Sequence, residues 1–122
     1  MRQILSALKV SHTARFMHRD VKPENIMVET SEKNPEEFVL KLVDWGSSRK
    51  MDIYSDQNFT AEVVPLGYRP PELLFSMKKY SETVDIWSVG CIFAELLFGE
   101  RLIQEPNANH ILYFLVENIG LR

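Results

Sequence analysis

The sequence predicts a mostly helical α+β fold with one short β-hairpin, a long irregular segment and a buried central helix. Three patterns carry that expectation. Residues 83–98 form an apolar run long enough for four helical turns. Ile26-Met27-Val28 and Phe38-Val39-Leu40-Lys41-Leu42-Val43 are two β-type runs on either side of a polar, turn-prone stretch. From Trp45 to Pro71 there is little periodicity, and a loop of that length inside a compact domain is usually functional.

In order along the chain, Ile4, Leu5, Leu8 and His12 recur at helical spacing, so residues 2–15 read as an amphipathic helix. Asp20 to Asn25 is irregular because Pro23 breaks any helix there. The stretch from Thr30 to Glu37, with Asn34-Pro35 at its middle, is the solvated loop of the hairpin. Pro71-Glu72-Leu73-Leu74-Phe75 reads as a short helix with proline at its start. The helix over 83–98 is apolar nearly all round, which predicts burial on every side, with Leu96, Leu97 and Phe98 in the core. Gly99 ends it, and Ala108 to Ile119 forms one more helix closed by Gly120.

The bulk numbers bound the classes. At 122 residues the chain is one domain or part of one. A hydrophobic fraction of 45% and a charged fraction of 25% suit a water-soluble globular chain. A net charge of −3 gives no footprint for direct nucleic-acid binding and no polybasic membrane patch. The apolar run from Ile86 to Phe98 falls short of the ~20 residues a membrane span needs. The single Cys91 allows no internal disulfide; its apolar surroundings make it a buried structural thiol. With no signal-peptide pattern after Met1-Arg2-Gln3, the expected setting is intracellular, in the nucleus and/or cytoplasm.

The chemistry is concentrated in two motifs. His18-Arg19-Asp20-Val21-Lys22-Pro23-Glu24-Asn25 places an acid, a compact cation and an amide oxygen within one loop. Asp44-Trp45-Gly46 follows the second β-type run. Taken singly these are bland: an Asp near a Pro is a turn former, and Asp-x-Gly is a turn. Together and in this order they resemble the catalytic loop and metal-binding motif of the eukaryotic protein kinases. Tyr68-Arg69-Pro70-Pro71-Glu72-Leu73-Leu74 and Asp85-Ile86-Trp87-Ser88-Val89-Gly90-Cys91 extend the resemblance over essentially the whole chain. It is a resemblance to the C-terminal lobe, so the fold expected is a mostly α (α+β) protein-kinase-like C-lobe fragment. Residues 1–122 are then a partial kinase domain, lacking the N-terminal lobe and the last C-lobe helices.

Phosphoryl transfer needs an aligned hydroxyl, neutralised charge and Mg²⁺ bridging phosphate oxygens. Asp20 can accept or orient the hydroxyl proton, and Lys22 can reach the γ-phosphate. Asn25 and Asp44 offer the hard oxygen ligands that Mg²⁺ prefers, and Gly46 permits the sharp turn behind the ligand. The resemblance implies the same roles: Asp20 as catalytic base, Lys22 on the ATP phosphate, Asn25 and Asp44 on the metal. It further implies that His18 is a buried structural group and that Asp85 caps backbone amides of the catalytic loop. Glu72 would pair with an arginine from later in a complete lobe. Arg19 would answer activation-loop phosphorylation, Arg49 would be a second arginine of that pocket, and Thr60 would carry the phosphate. Val64 and Arg69 would lie at the protein substrate, and a regulatory protein partner is compatible with the group.

The Tyr-Arg before Pro70 is similar to the group of cyclin-dependent, mitogen-activated and dual-specificity tyrosine-regulated kinases. Within it, Lys22 to Met27, the longer hairpin loop and Ile119-Gly120-Leu121 resemble the homeodomain-interacting branch. Thr60 to Val64 instead resembles the cyclin-dependent kinases, and Asp44-Trp45-Gly46 resembles casein kinase 2.

The departures are specific. No glycine-rich loop, ATP-contacting lysine or partner glutamate occurs in the 122 residues. Pro65 stands where the family has a Ser or Thr bridging to Asp20 and Lys22, and Gly67 replaces an aromatic. Pro65 is expected to draw Val64 into extended geometry, where proline-directed relatives hold a strained residue. Glu62 fixes a negative charge where the homeodomain-interacting branch carries a tyrosine. The function implied is an ATP-dependent protein serine/threonine kinase, inactive as this piece alone. The alternative is a truncated pseudokinase acting as an interaction or scaffold module.

Overall fold

In the computed structural model, described for residues 1–34, 36–51 and 58–120, a hairpin and a two-strand ladder frame one loop, and helices pack beneath it. Pro35, residues 52–57, Leu121 and Arg122 therefore lie outside the described residues, along with the parts of the hairpin loop, the long segment and the C-terminal motif that fall on them.

Helix α1 (Arg2–Thr13) turns Ile4 and Leu8 fully inward, as its spacing predicts. It stops two residues before the expected limit, and Arg15 takes a left-handed φ of 65° that redirects the chain. Strand β1 (Phe16–Met17) follows and pairs antiparallel with β4 (Arg49–Lys50). This ladder is missing from the sequence reading, because two-residue strands carry no periodic signal. The predicted hairpin is present as β2 (Ile26–Thr30) and β3 (Phe38–Leu42), in register Ile26 with Leu42 through Thr30 with Phe38. The outer edge of β3 is covered by one side chain. Gln3 Nε2 donates to the Phe38 carbonyl at 3.1 Å, and Gln3 Oε1 accepts from the Leu40 amide at 2.7 Å. An amide that bonds an edge as a strand would removes a pairing template.

Helix α2 (Pro71–Leu74) has its proline at the first position, and α3 (Thr83–Phe98) and α4 (Ala108–Ile119) have the expected limits. Gly99 and Gly120 end α3 and α4 with φ of 77° and 74°, the left-handed closure that glycine adopts without strain. The core joins Ile4 and Leu8 of α1, Val21, Leu73, Val84 and Ile92 of α3, and Ile111 and Leu115 of α4.

One expectation about α3 fails. Val84, Asp85, Ser88, Val89, Cys91 and Ile92 are buried, but Leu96, Leu97 and Phe98 are 68%, 63% and 71% exposed. Those three do not belong to the core. Apolar composition all round says a helix can be buried, yet burial needs neighbours, and these three side chains are left open to solvent.

Candidate active site

The loop between β1 and β2 is held by a carboxylate from below. Asp85, 1% exposed on the first turn of α3, accepts from the backbone amides of His18 at 2.9 Å and Arg19 at 2.8 Å. His12 Nε2 donates to the same carboxylate at 2.8 Å, an interaction the sequence reading missed by counting His12 among the inward apolar positions of α1. Arg19 can then hold a φ of 67°.

His18 is fully buried, as expected, and works as a two-ended spacer. Its Nδ1 accepts from the Asp20 amide at 3.2 Å, so Nε2 carries the proton that it donates to the Val43 carbonyl at 3.0 Å. Trp45 packs edge-to-face with the imidazole, with centroids 4.5 Å apart and planes at 67°. Histidine thus spaces the Asp20 loop from the Asp44 turn.

Three of the four predicted reacting groups converge on one oxygen. Lys22 Nζ lies 3.1 Å from Asp20 Oδ2, and Asn25 Nδ2 donates to the same oxygen at 2.9 Å and to the Asp20 carbonyl at 2.8 Å. Asp20 is thereby oriented by a cation and an amide, while 17% of its side chain stays open to solvent. Asn25 spends its NH₂ on Asp20, which leaves its Oδ1 as a free donor oxygen.

The hairpin brings the fourth group in. The Val43 amide donates to the Asn25 carbonyl at 2.9 Å, continuing the ladder one step beyond Ile26 and Leu42. Asp44 is the next residue along, directly after the residue bonded to Asn25. It holds φ 59° and ψ 73°, a left-handed conformation that Asp tolerates, and its Oδ1 accepts from Gly46 N at 3.3 Å. A Cβ on Gly46 would come within 3.2 Å of that Oδ1, so glycine keeps the carboxylate unobstructed. An amide oxygen and an exposed carboxylate on adjoining turns fit a hard cation such as Mg²⁺.

Beside Lys22 opens a cleft of about 550 Å³, floored by residues 65–68 and walled by Arg101 and Ile103. Val64 directly precedes the lining residue Pro65, and here the expectation from Pro65 is overturned. Val64 has φ 67°, left-handed rather than extended, although it precedes a proline and is β-branched. Arg69 supplies the reason: its Nε donates to the Val64 carbonyl at 2.9 Å, while the valine side chain is only 6% exposed. Burial lowers the Arg69 pKa from its ordinary value, partly opposed by Glu62, and the guanidinium stays charged. Tyr68 donates to Glu95 Oε2 at 2.7 Å; burial first, then that bond, drives its pKa upward.

The remaining predicted residues are dispersed. Arg19 is 3% exposed, its Nε donating to the Ser47 carbonyl at 2.8 Å and its Nη1 to Tyr80 Oη at 2.9 Å. Arg49 is exposed and donates to the Ser48 carbonyl next to it. Thr60 is exposed, and its carbonyl accepts from the Tyr80 hydroxyl at 2.7 Å. Glu72 is half-buried, with no side-chain partner among the described residues. Tyr80 escaped notice because one tyrosine in a polar stretch carries no pattern.

The family described as the protein kinase domain matches residues 1–119. Relatives agree in type. Serine/threonine-protein kinase NLK2 of Xenopus laevis is 46% identical over 118 residues, which is 97% of this chain and 25% of that protein. Serine/threonine kinase NLK of Caenorhabditis elegans is 43% identical over 118 residues, 97% of this chain and 18% of that one. Cyclin-dependent kinase 2 of Caenorhabditis elegans is 40% identical over 120 residues, 98% and 31%. The chain spans less than a third of the length of these curated relatives.

Proposed function

The chain belongs to the protein kinase domain family, and on that premise we propose that it is the reaction-loop and acceptor side of an ATP-dependent protein serine/threonine kinase. One observation carries this reading: Lys22 and Asn25 both meet Asp20 Oδ2, while Val43, the residue before Asp44, is bonded to Asn25. Asp20, oriented from two sides, aligns the substrate hydroxyl and accepts its proton. Lys22 offsets charge on the transferring group. Asn25 Oδ1 and the Asp44 carboxylate would hold Mg²⁺, which supplies charge neutralisation at the phosphates when bound. The cleft beside Lys22 would take the protein substrate, with the bonded pair Val64 and Arg69 flanking its floor in sequence at residues 65–68.

A phosphate on Thr60 would seek Arg19 and Arg49, and a regulatory protein is a compatible partner. An intracellular setting, nuclear or cytoplasmic, follows from a reaction that consumes ATP. Among the described residues no helix is long and apolar enough to cross a membrane. Within the cyclin-dependent and mitogen-activated group, the Lys22 to Met27 motif and the longer hairpin loop favour the homeodomain-interacting branch. Residues 1–122 are a partial domain on this reading, and by themselves they turn over no substrate: the chain contains no glycine-rich loop and no lysine motif for the upper face of the nucleotide.

A thermal-shift titration with Mg²⁺–ATP tests the site. The folded chain is stabilised, and Asp44→Ala abolishes the shift, because a ligand that binds only the folded state raises its stability. A cooperative melt that ATP leaves unmoved overturns the nucleotide site. Radiolabelled phosphate transfer by the 122-residue chain, abolished in Asp20→Asn, would overturn its inactivity alone.

A further inference from the structure

Arg19 is a full positive charge, 3% exposed, whose contacts among the described residues are all neutral. Among the described residues no carboxylate lies within ion-pair reach of it. A buried guanidinium satisfied by a carbonyl and a phenol is held in place but not neutralised, and it favours any anion that can reach it. The phenol is Tyr80, and it does not end the chain of bonds. A phenolic oxygen can accept and donate at once, and the Tyr80 hydroxyl donates a hydrogen bond to the Thr60 carbonyl at 2.7 Å. The Tyr80 ring also lies against Phe59, with centroids 5.2 Å apart. The Phe59 amide donates to the Lys78 carbonyl at 2.7 Å. Residues 59–60 are thus laced to residues 78–80, and through one hydroxyl to the reaction loop.

We propose that Tyr80 is a positioning residue that docks residues 59–60 on Arg19 while Thr60 is unmodified. It stands at the arginine in the place an anion would take, as a neutral group that a phosphate on Thr60 displaces. The segment beside the substrate cleft is then ordered before modification, and phosphorylation exchanges one acceptor of Arg19 for a stronger one. The proposal rests on the reading of Arg19 and Thr60 given above.

Amide hydrogen exchange of the whole chain, without nucleotide or metal, is the test. Tyr80→Phe removes the hydroxyl and keeps the ring contact. The Phe59 amide is expected to exchange roughly fivefold faster, the effect of one net hydrogen bond, while hairpin amides keep their rates. Arg19→Gln cuts the same chain from its other end and is expected to loosen Phe59 alike, with the double variant adding nothing further. Unchanged exchange at Phe59 in either variant overturns the proposal. So does a uniform rise across hairpin and helices, which would make Tyr80 a general stabiliser. The Mg²⁺–ATP titration judges the kinase reading separately, so the two can fail independently.

Discussion

Asp85 collects three N–H donors on two oxygens in a place nearly closed to water, and that concentration sets the energetics around the loop. Truncation leaves the buried amides of His18 and Arg19 unpaired together with the imidazole N–H of His12. Each unpaired buried donor costs about 1–3 kcal/mol. Asp85→Ala is expected to lower unfolding free energy by about 3–5 kcal/mol in urea titration, with Asp85→Asn intermediate since one amide oxygen still accepts. Cys91 is the opposite kind of residue. Burial pushes its thiol from 9.0 up to about 11, with the nearby Glu95 adding to the rise. The folded state therefore keeps the neutral thiol where the unfolded state ionises. This group's contribution to stability is whole below pH 9 and is lost as pH climbs toward 11. Iodoacetamide at pH 8 is expected to label Cys91 only as fast as the chain unfolds, measured by mass spectrometry with and without urea. Pro65 shows where single-residue reasoning stops. Its steric preference for an extended predecessor is real, yet the grip of Arg69 on the Val64 carbonyl prevails.

The elements that were legible in the sequence are those whose order is local. Apolar spacing marked α1 and α4, glycine marked the ends of α3 and α4, and the two β-type runs marked the hairpin. The motif spacing also singled out Asp20, Lys22 and Asn25, which meet in space. The β1–β4 ladder, the Gln3 clamp and the Tyr80 bridge were not legible. Each joins residues 20 or more positions apart through one or two bonds, and no periodicity reports that. Helix α3 was misjudged for a related reason, since composition carries no information about what covers the exposed face. That helix also carries an internal weakness. Gly90 is exposed within it, and an added Cβ would meet nothing within 4 Å. Gly90→Ala is expected to raise stability by about 0.5–1 kcal/mol through backbone entropy, seen as a higher melting temperature.

At the scale of the molecule, the described residues leave a run of bare apolar surface at Leu96, Leu97 and Phe98. Exposed patches of this kind drive association. Sedimentation velocity is expected to show concentration-dependent self-association, reduced when Leu97 and Phe98 are replaced by Ser. The reaction loop stays ordered meanwhile because its supports come from the other end of α3 and from the hairpin.

The carboxylate under that loop also dictates a sequence of events in time. Its partners His18 and Arg19 precede it by 67 and 66 residues, and His12 by 73. A ribosome that has made the loop and both hairpin strands has not yet made the group that shapes the loop. The left-handed turn at Arg19 must wait in an undecided state until α3 emerges, so the reacting groups are assembled late in synthesis, however early they are written.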